Sequence, residues 1–226
     1  MNATRINKDQ TVKDKIVIWG ASGHAMVVAD IIRLRGEYQI IGFLDNINPQ
    51  RHHTDFCGAQ ILGGEEQLDQ IREEGIIHMI LGFGNCDARL KLAELLKIKG
   101  FQLVPAIHPS SIIASDVIIK PGTVIAAGAV INSGSLIGEN VIINTSSSVD
   151  HECVVGDGVH ICPGVHLGGN VSVGRATWVG IGTCVVDHLS IGSTSLIGAG
   201  SVVVKDIPDN VVAYGNPARV KRNVIK

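Results

Sequence analysis

From Ile113 to Val203 an aliphatic side chain returns at every sixth position without a break, through Ile119, Ile125, Ile131, Ile143, Ile161, Val179 and Ile197. Four places after each stands a second small or branched residue, as at Val117, Thr123, Ala129, Ser135, Ser147 and Val159. A helix repeats near 3.6 residues and a simple strand near two, so neither accounts for a strict six. The pattern predicts a β-solenoid in which each short strand sends one large aliphatic side chain inward and then turns. A longer period sets the cross-section. Gly138, Gly156, Gly174 and Gly192 lie eighteen apart, and Gly128, Gly164, Gly182 and Gly200 occupy a second eighteen-residue lattice whose gap is filled by Ser146. Glycine suits corners that need positive φ or close backbone approach. Three hexads therefore make one coil, and the section is triangular. About five coils at roughly 4.8 Å per rung give a prism about 25 Å tall.

Before the hexads the pattern changes. Lys15–Trp19 predicts a short buried strand, Gly20-Ala-Ser-Gly23-His24 a turn, Ala25 to Arg35 an amphipathic helix, and Gln39–Leu44 a second strand ending at Asp45-Asn46. Strand, glycine turn, helix, strand opens a doubly wound parallel sheet. A polar loop is expected from Asn48 to Gly58, a helix over Glu65–Glu74, and a strand over Ile76–Leu81 that ends at Gly82-Phe-Gly84-Asn85. A helix over Asp87–Lys99 and a last strand over Phe101–Ala106 complete the set. His108-Pro109 breaks this rhythm. The expected division is a flexible segment at 1–14, a Rossmann-like α/β domain at 15–108, a parallel β-helix at 109–207 and a C-terminal cap at 208–226.

Composition narrows the function. Charged residues make up 18% and the net charge is −2, with no block of Lys or Arg, which argues against a nucleic-acid surface. No apolar run is long enough to span a bilayer and no secretory signal is evident, so a cytoplasmic protein is expected. The five cysteines (Cys57, Cys86, Cys153, Cys162, Cys184) form no CxxC pair, and the last three fall on solenoid positions where Cys acts as a small hydrophobe.

Candidate chemistry gathers in two places. Open parallel sheets bind ligands outside the carboxyl ends of their strands. There Gly20, Ser22, Gly23 and His24, then Asp45 and Asn46, then Gly84 and Asn85 converge. Backbone N–H groups at the start of the first helix suit a pyrophosphate. Asp45 can accept from a ribose or a base edge. The turn departs from a full G-x-G-x-x-G at Ser22 and Ala25, so a ligand with one nucleoside and a pyrophosphate fits better than NAD. The second place is His151, inside the polar run Asn144-Thr-Ser-Ser-Ser-Val-Asp-His-Glu152 that interrupts the apolar lattice. Its spacing places it outward or at a corner, with Glu152 beside it, as a general base requires. His160 is half a coil away and can meet it only across a cleft between neighbouring prisms.

These motifs resemble a known family. The hexads look like the left-handed β-helix of bacterial hexapeptide-repeat acyltransferases. Gly20-Ala-Ser-Gly-His24, Asn144 to Glu152 and Gly215-Asn-Pro-Ala218 together resemble the nucleotide-sugar 4-amino N-acetyltransferases, relatives of the sialic acid O-acetyltransferases. The resemblance covers almost the whole chain after residue 15. It implies acetyl-CoA as co-substrate, no metal, and a homotrimer with active sites between subunits. It implies His151 as general base with Glu152 raising its basicity, and His160 of a neighbouring subunit contacting acetyl-CoA. Gly169 becomes a candidate oxyanion donor through its amide, while Ile181 and Ala199 offer backbone to the pantetheine arm. Gly20, Ser22, Gly23, His24, Asp45 and Asn46 would hold the nucleotide sugar. Asn46 stands where some relatives have a second Asp, which leaves the base open.

Rival readings are an O-acetyltransferase acting on sialic acid, a zinc hydratase built on the same solenoid, a non-catalytic nucleotide-sensing scaffold and an oxidoreductase. A zinc site needs three converging histidines, and His160 and His166, one hexad apart, point from successive faces.

Overall fold

A computed structural model describes residues 13–225. The segment expected to be flexible at 1–14 lies almost wholly outside the described residues. The first domain is a six-stranded sheet in the order β3-β4-β2-β1-β5-β6, built from β1 (Asp14–Trp19), β2 (Tyr38–Leu44), β3 (Asp55–Phe56), β4 (Ala59–Gly63), β5 (His78–Leu81) and β6 (Gln102–Leu103). All neighbours are parallel except the β3–β4 hairpin. The hairpin corrects the expected loop at 48–58. Its strands are too short to display an alternation, and β4 is bracketed by glycines. The helix expected over Glu65–Glu74 is a 3₁₀ turn followed by α2 (Leu68–Glu73), while α1 runs over Gly23–Arg35 and α3 over Cys86–Ile98. On one side of the sheet, α2 and α3 pack through Leu68, Ile71, Ala93 and Leu96 on Val17, Met79 and Leu81.

The other side carries α1, and α1 is shared with the second domain. Ala25, Val28 and Ile32 sit in one cluster with Ile16, Ile18 and Ile80 beneath and Ala106, Val124 and Ile142 above. The last three are outward-facing residues of the prism. Each is at most 1% exposed, so burying them on α1 holds the domains together at about 25 cal/mol per Å² of apolar area.

The prism is a three-sided parallel β-helix of two-residue strands. Its first face stacks Ala106–Ile107, Val124–Ile125, Ile142–Ile143, His160–Ile161, Trp178–Val179 and Leu196–Ile197. The second runs from Ile112–Ile113 to Val202–Val203, and the third from Ile118–Ile119 to Ser190–Ile191. Coiling thus begins at Ala106, before the expected boundary near 108. The second residue of each strand points inward, and Ile125, Ile143, Ile161, Val179 and Ile197 are fully buried. Buried hydroxyls at the turns are satisfied by carbonyls, as Thr123 Oγ1 donates to Gly138 O (2.7 Å) and Thr177 Oγ1 to Gly192 O (2.6 Å).

The two glycine lattices have different causes. From Gly122 to Gly200 every sixth residue has positive φ, and Gly128, Gly164, Gly182 and Gly200 supply it at one corner, with Ser146 also at φ 54°. Gly156 and Gly174 instead leave room for the next coil, since a Cβ on Gly174 would lie 2.5 Å from Ser193 N. At the C-terminal end, Val211–Gly215 joins the first face in parallel and pairs antiparallel with Ala218–Asn223. Cys153 and Cys162 are buried as expected, and Cys184, an outward strand residue, is exposed.

Candidate active site

The chain leaves β1 for β2 on one side of the sheet and returns to the other side with β5, so a crevice opens at the carboxyl ends of these strands. A cleft of about 440 Å³ lies there. Trp19, Leu44 and Phe83 form its apolar wall, with Gly20, Ser22, Asp45, Asn46 and Asn85 at its polar edge. Gly20 must be glycine: its φ is +132° and a Cβ would meet Gly82 O at 2.7 Å. Ser22 is the N-cap of α1, makes no side-chain cap bond and is followed by a first turn without acidic residues. The free N–H groups there would meet an anion unopposed.

Of the other residues expected at this site, Asn85 caps α3 through Oδ1, which accepts from Ala88 N at 2.9 Å. Asp45 differs from expectation. It is 6% exposed, its Oδ1 accepts from the N–H groups of Ile47 and Asn48, and its Oδ2 accepts from Asn48 Nδ2 and lies 3.6 Å from Arg51 Nη1. Arg51 also donates to Ala21 O at 2.7 Å. The carboxylate therefore organises its own loop and ties it to the glycine turn, because short Asp side chains close local turns readily.

Gly23, His24 and Gly84 are not wall residues of the cleft, although the N–H groups of Gly23 and His24 belong to the α1 start that follows Ser22 at its edge. His24 and Gly84 turn to the joint with the prism. The His24 ring lies 6.2 Å from that of His160, and its buried Nε2 has no partner among the described residues. His160, expected open on a seam between subunits, is 5% exposed, and its ring lies 4.2 Å, centroid to centroid, from the tilted ring of Trp178 within its own chain. The cause is docking: His160 is an outward residue of the first face, and the N-terminal domain covers that face. Its Nδ1 donates to Gly84 O (3.3 Å) and its Nε2 accepts from Asn144 Nδ2 (3.2 Å), while Asn144 Oδ1 accepts from Thr145 N. Burial first, then the Arg89 charge, pushes His160 down to about 3 and His24 down to about 4, so both rings are neutral.

His151 occupies the corner between the second and third faces, opposite the covered first face. Its Nδ1 donates to Glu152 Oε2 at 3.1 Å, which leaves the Nε2 lone pair free to take a proton. Its backbone N–H donates to Asp150 Oδ1, which also accepts from Asn132 Nδ2 (both 2.8 Å), and the Asn132 bond is the main reason that the Asp150 carboxyl titrates below its usual range. Gly169 lies one coil above, against the imidazole, and its N–H appears in none of the turn hydrogen bonds of the described residues. Ile181 and Ala199 are exposed on a different corner, between the first and second faces, two and three coils above Thr145.

A family model of the PglD N-terminal domain matches residues 15–96. The acetyltransferase domain of PglB from Neisseria gonorrhoeae FA1090, in complex with acetyl coenzyme A, is similar at a TM-score of 0.87 and 35% identity, over 93% of this chain and 100% of that one. A perosamine N-acetyltransferase mutant from Caulobacter crescentus, in complex with CoA and GDP-perosamine, superposes at a TM-score of 0.88 with 37% identity, over 92% of this chain and 97% of that one.

The chain belongs to the hexapeptide-repeat nucleotide-sugar N-acetyltransferases.

Its prism is thus the left-handed β-helix of that family. A galactoside O-acetyltransferase from Lactococcus lactis is 48% identical over 61 residues, and the match spans only 30% of that relative's length. For this N-acetyltransferase family member, Arg89 is the functional candidate that the sequence reading missed. It is 1% exposed and bridges both domains. The available signal was its place on the buried stripe of α3, with Cys86, Ala93 and Leu96. Among the described residues no group of three or more His, Cys, Asp or Glu side chains is arranged to hold a metal ion, and no helix is long and apolar enough to cross a membrane.

Proposed function

We propose that the protein transfers the acetyl group of acetyl-CoA to the amine of a nucleotide-linked amino-deoxy sugar, at a site shared between subunits of a homotrimer. The carrying observation is the His151 corner, with its oriented imidazole and free Gly169 amide one coil apart, in a chain that also builds a nucleotide-sized cleft. The free N–H groups of α1 take the pyrophosphate, and the apolar wall of Trp19, Leu44 and Phe83 takes the nucleoside.

The amine nitrogen attacks the thioester carbonyl carbon and forms the N–C bond. His151 Nε2 takes the proton that the nitrogen sheds, and Glu152 stabilises the imidazolium. The Gly169 N–H donates to the tetrahedral oxyanion, an interaction worth about 10²–10³ in rate. As the oxyanion collapses the C–S bond breaks, and the CoA sulfur leaves as a thiol once it regains a proton. Direct transfer needs no acyl-enzyme, and the juxtaposition of two bound substrates supplies much of the acceleration.

The placement of the two halves of the site supports the trimer. The cleft belongs to a domain seated on the first face, and His151 lies on the opposite corner, so the prism stands between them. A neighbouring copy can present its His151 corner to this cleft. The outward residues Ile112 on the second face and Ile118 and Val154 on the third remain 47–68% exposed in one chain, and three-sided prisms bury such rows by cyclic packing.

The deciding experiment is a thiol-release assay with acetyl-CoA against UDP-, GDP- and dTDP-linked 4-amino sugars, beside free and CMP-linked sialic acid. Turnover with a nucleotide-linked amine and none with sialic acid is the expected result. Turnover with hydroxyl acceptors alone would move the assignment to O-acetylation, and no turnover would remove it.

A further inference from the structure

Arg89 is a buried cation that pairs with no carboxylate among the described residues. All five of its N–H groups donate to backbone carbonyls, and those carbonyls come from both domains. Nη1 reaches Phe83 O (3.3 Å) and Gly84 O (2.6 Å) in the loop after β5. Nε reaches Asn140 O (3.1 Å), and Nη2 reaches Gly158 O (2.8 Å) and Val159 O (3.3 Å), in turns of two successive coils between the third and first faces. Taking a guanidinium out of water without a counter-charge is costly, and an apolar side chain of similar volume would fill such a space more cheaply. A rigid planar fork has a different merit: it accepts only one arrangement of its acceptors.

That arrangement concerns the cleft. Phe83 lines it, and Asn85, next to Gly84, lines it as well as capping α3. Around the fork the packing is close. An added Cβ on Gly158 would fall 2.5 Å from Leu90, and one on Gly84 would lie 3.4 Å from His160 and Trp178. Lys97 at the far end of α3 pairs with Glu139 of the prism, which fixes the helix a second time. Asn140 and Gly158 stand on the coils just below and above His151, so the fork measures the height of the cleft wall from the same rungs that carry the base.

We propose that Arg89 is a positioning residue, which fixes the Phe83–Asn85 wall of the nucleotide cleft against the prism so that a bound nucleotide sugar presents its amine at the level of the acetyl-transfer site. The proposal rests on the function given above for its substrate. Its prediction is a selective one. Loss of the fork weakens the nucleotide ligand and leaves acetyl-CoA alone, because Gly169, Ile181 and Ala199 lie on other corners.

The test compares the full-length wild type with Arg89→Lys, which keeps the charge but not the fork, and with Arg89→Met. Steady-state KM is measured for the nucleotide sugar and for acetyl-CoA, alongside titration with UDP, GDP and dTDP and hydrogen exchange of peptides covering 82–92. Both variants are expected to raise the KM of the nucleotide sugar, or the Kd of the nucleoside diphosphate, about tenfold or more (about 1.4 kcal/mol). The KM of acetyl-CoA is expected to stay within about twofold, and faster exchange to be confined to 82–92. Unchanged nucleotide affinity with unchanged exchange overturns the proposal. So does an equal rise in both KM values, or a Lys variant that no longer folds, since either marks a general stabilising role. If the wild type binds no nucleoside diphosphate and acetylates no amino sugar, the functional reading fails on its own. The exchange of 82–92 then still decides whether Arg89 holds that wall.

Discussion

The imidazole of His151 rests on Gly169 of the next coil so closely that a methyl group there would lie 2.5 Å from Nε2 and 2.6 Å from Cε1. The proposed base and the candidate oxyanion donor are thus set by the coil spacing itself, with no side chain between them. Gly169→Ala must displace the ring. A shift of about 1 Å at a reacting group costs about 10² in rate, so kcat is expected to fall about a hundredfold. Circular dichroism and the oligomer mass should stay unchanged. Wild-type turnover in the alanine variant would show that the ring does not act from this position.

His151 and Glu152 should differ in weight. His151→Ala removes the proton acceptor, and turnover should drop about 10²–10⁴-fold while CoA binding persists. Glu152→Gln leaves an oxygen that can still accept from Nδ1–H but no charge to stabilise the imidazolium. Its loss should be smaller, about tenfold. Single-turnover rates at saturating acetyl-CoA distinguish the two cases.

The neutral histidines at the domain joint tie stability to pH. His24 and His160 titrate at about 4 and about 3 in the folded chain, against an ordinary value of 6.5. Below pH 6.5 the unfolded chain takes up protons that the folded chain refuses. Their contribution is present above that pH and is lost as the pH falls through the window down to about 4 for His24 and about 3 for His160. Each ring steepens the fall by about 1.4 kcal/mol per pH unit inside its window. Urea unfolding from pH 7.5 to 4.5 should show this slope, and His160→Gln should flatten it.

The two glycine lattices predict unequal costs. Gly164 has φ +66° and open space around a notional Cβ, so Gly164→Ala should cost only the left-handed strain, about 1–2 kcal/mol. Gly174→Ala drives a methyl group to 2.5 Å from Ser193 N and 2.7 Å from Gly192 C. Backbone of the next coil cannot step aside, and a loss above about 3 kcal/mol is expected, beyond the usual range of single substitutions. Equal losses in denaturant titrations would contradict the separate causes assigned to the lattices.

A site shared between subunits, as proposed above, would allow rescue between two dead chains. Ala88 lines the cleft, and Ala88→Arg should fill it without touching the His151 corner. Coexpressed one to one with His151→Ala, about a quarter of the seams in a cyclic trimer pair a sound cleft with a sound base. Activity near a quarter of wild type is expected from the mixture and almost none from either variant alone. No rescue would argue for a site contained in one chain.

The hexads made the prism legible because the inward row from Ile113 to Val203 is local, repeated and uninterrupted. Ala106–Ile107, the first rung, escaped because one rung displays no period and its neighbours Val104 and Phe101 belong to the other domain's packing. His151 stood out as polar residues in an apolar lattice. His160 was recognised as outward-facing, yet its surroundings depend on which face the first domain covers, and that is a tertiary fact. Arg89 resembled an ordinary helix cation until its five carbonyls, spread over 76 residues of chain from Phe83 to Val159, came together. Asp45 was visible as a strand-end acid, whereas the turn that occupies its oxygens was not.

The rungs that seat the first domain are the ones that bear His151, and the wall continues upward for further coils before the terminal hairpin. Height above the reacting groups is therefore a free variable. An 18-residue insertion after Val203 would add about 4.8 Å of wall without shifting donor relative to acceptor. On the proposed reading, chains of this architecture can lengthen or shorten the track for the tail of the thioester while the chemistry stays at the same storey.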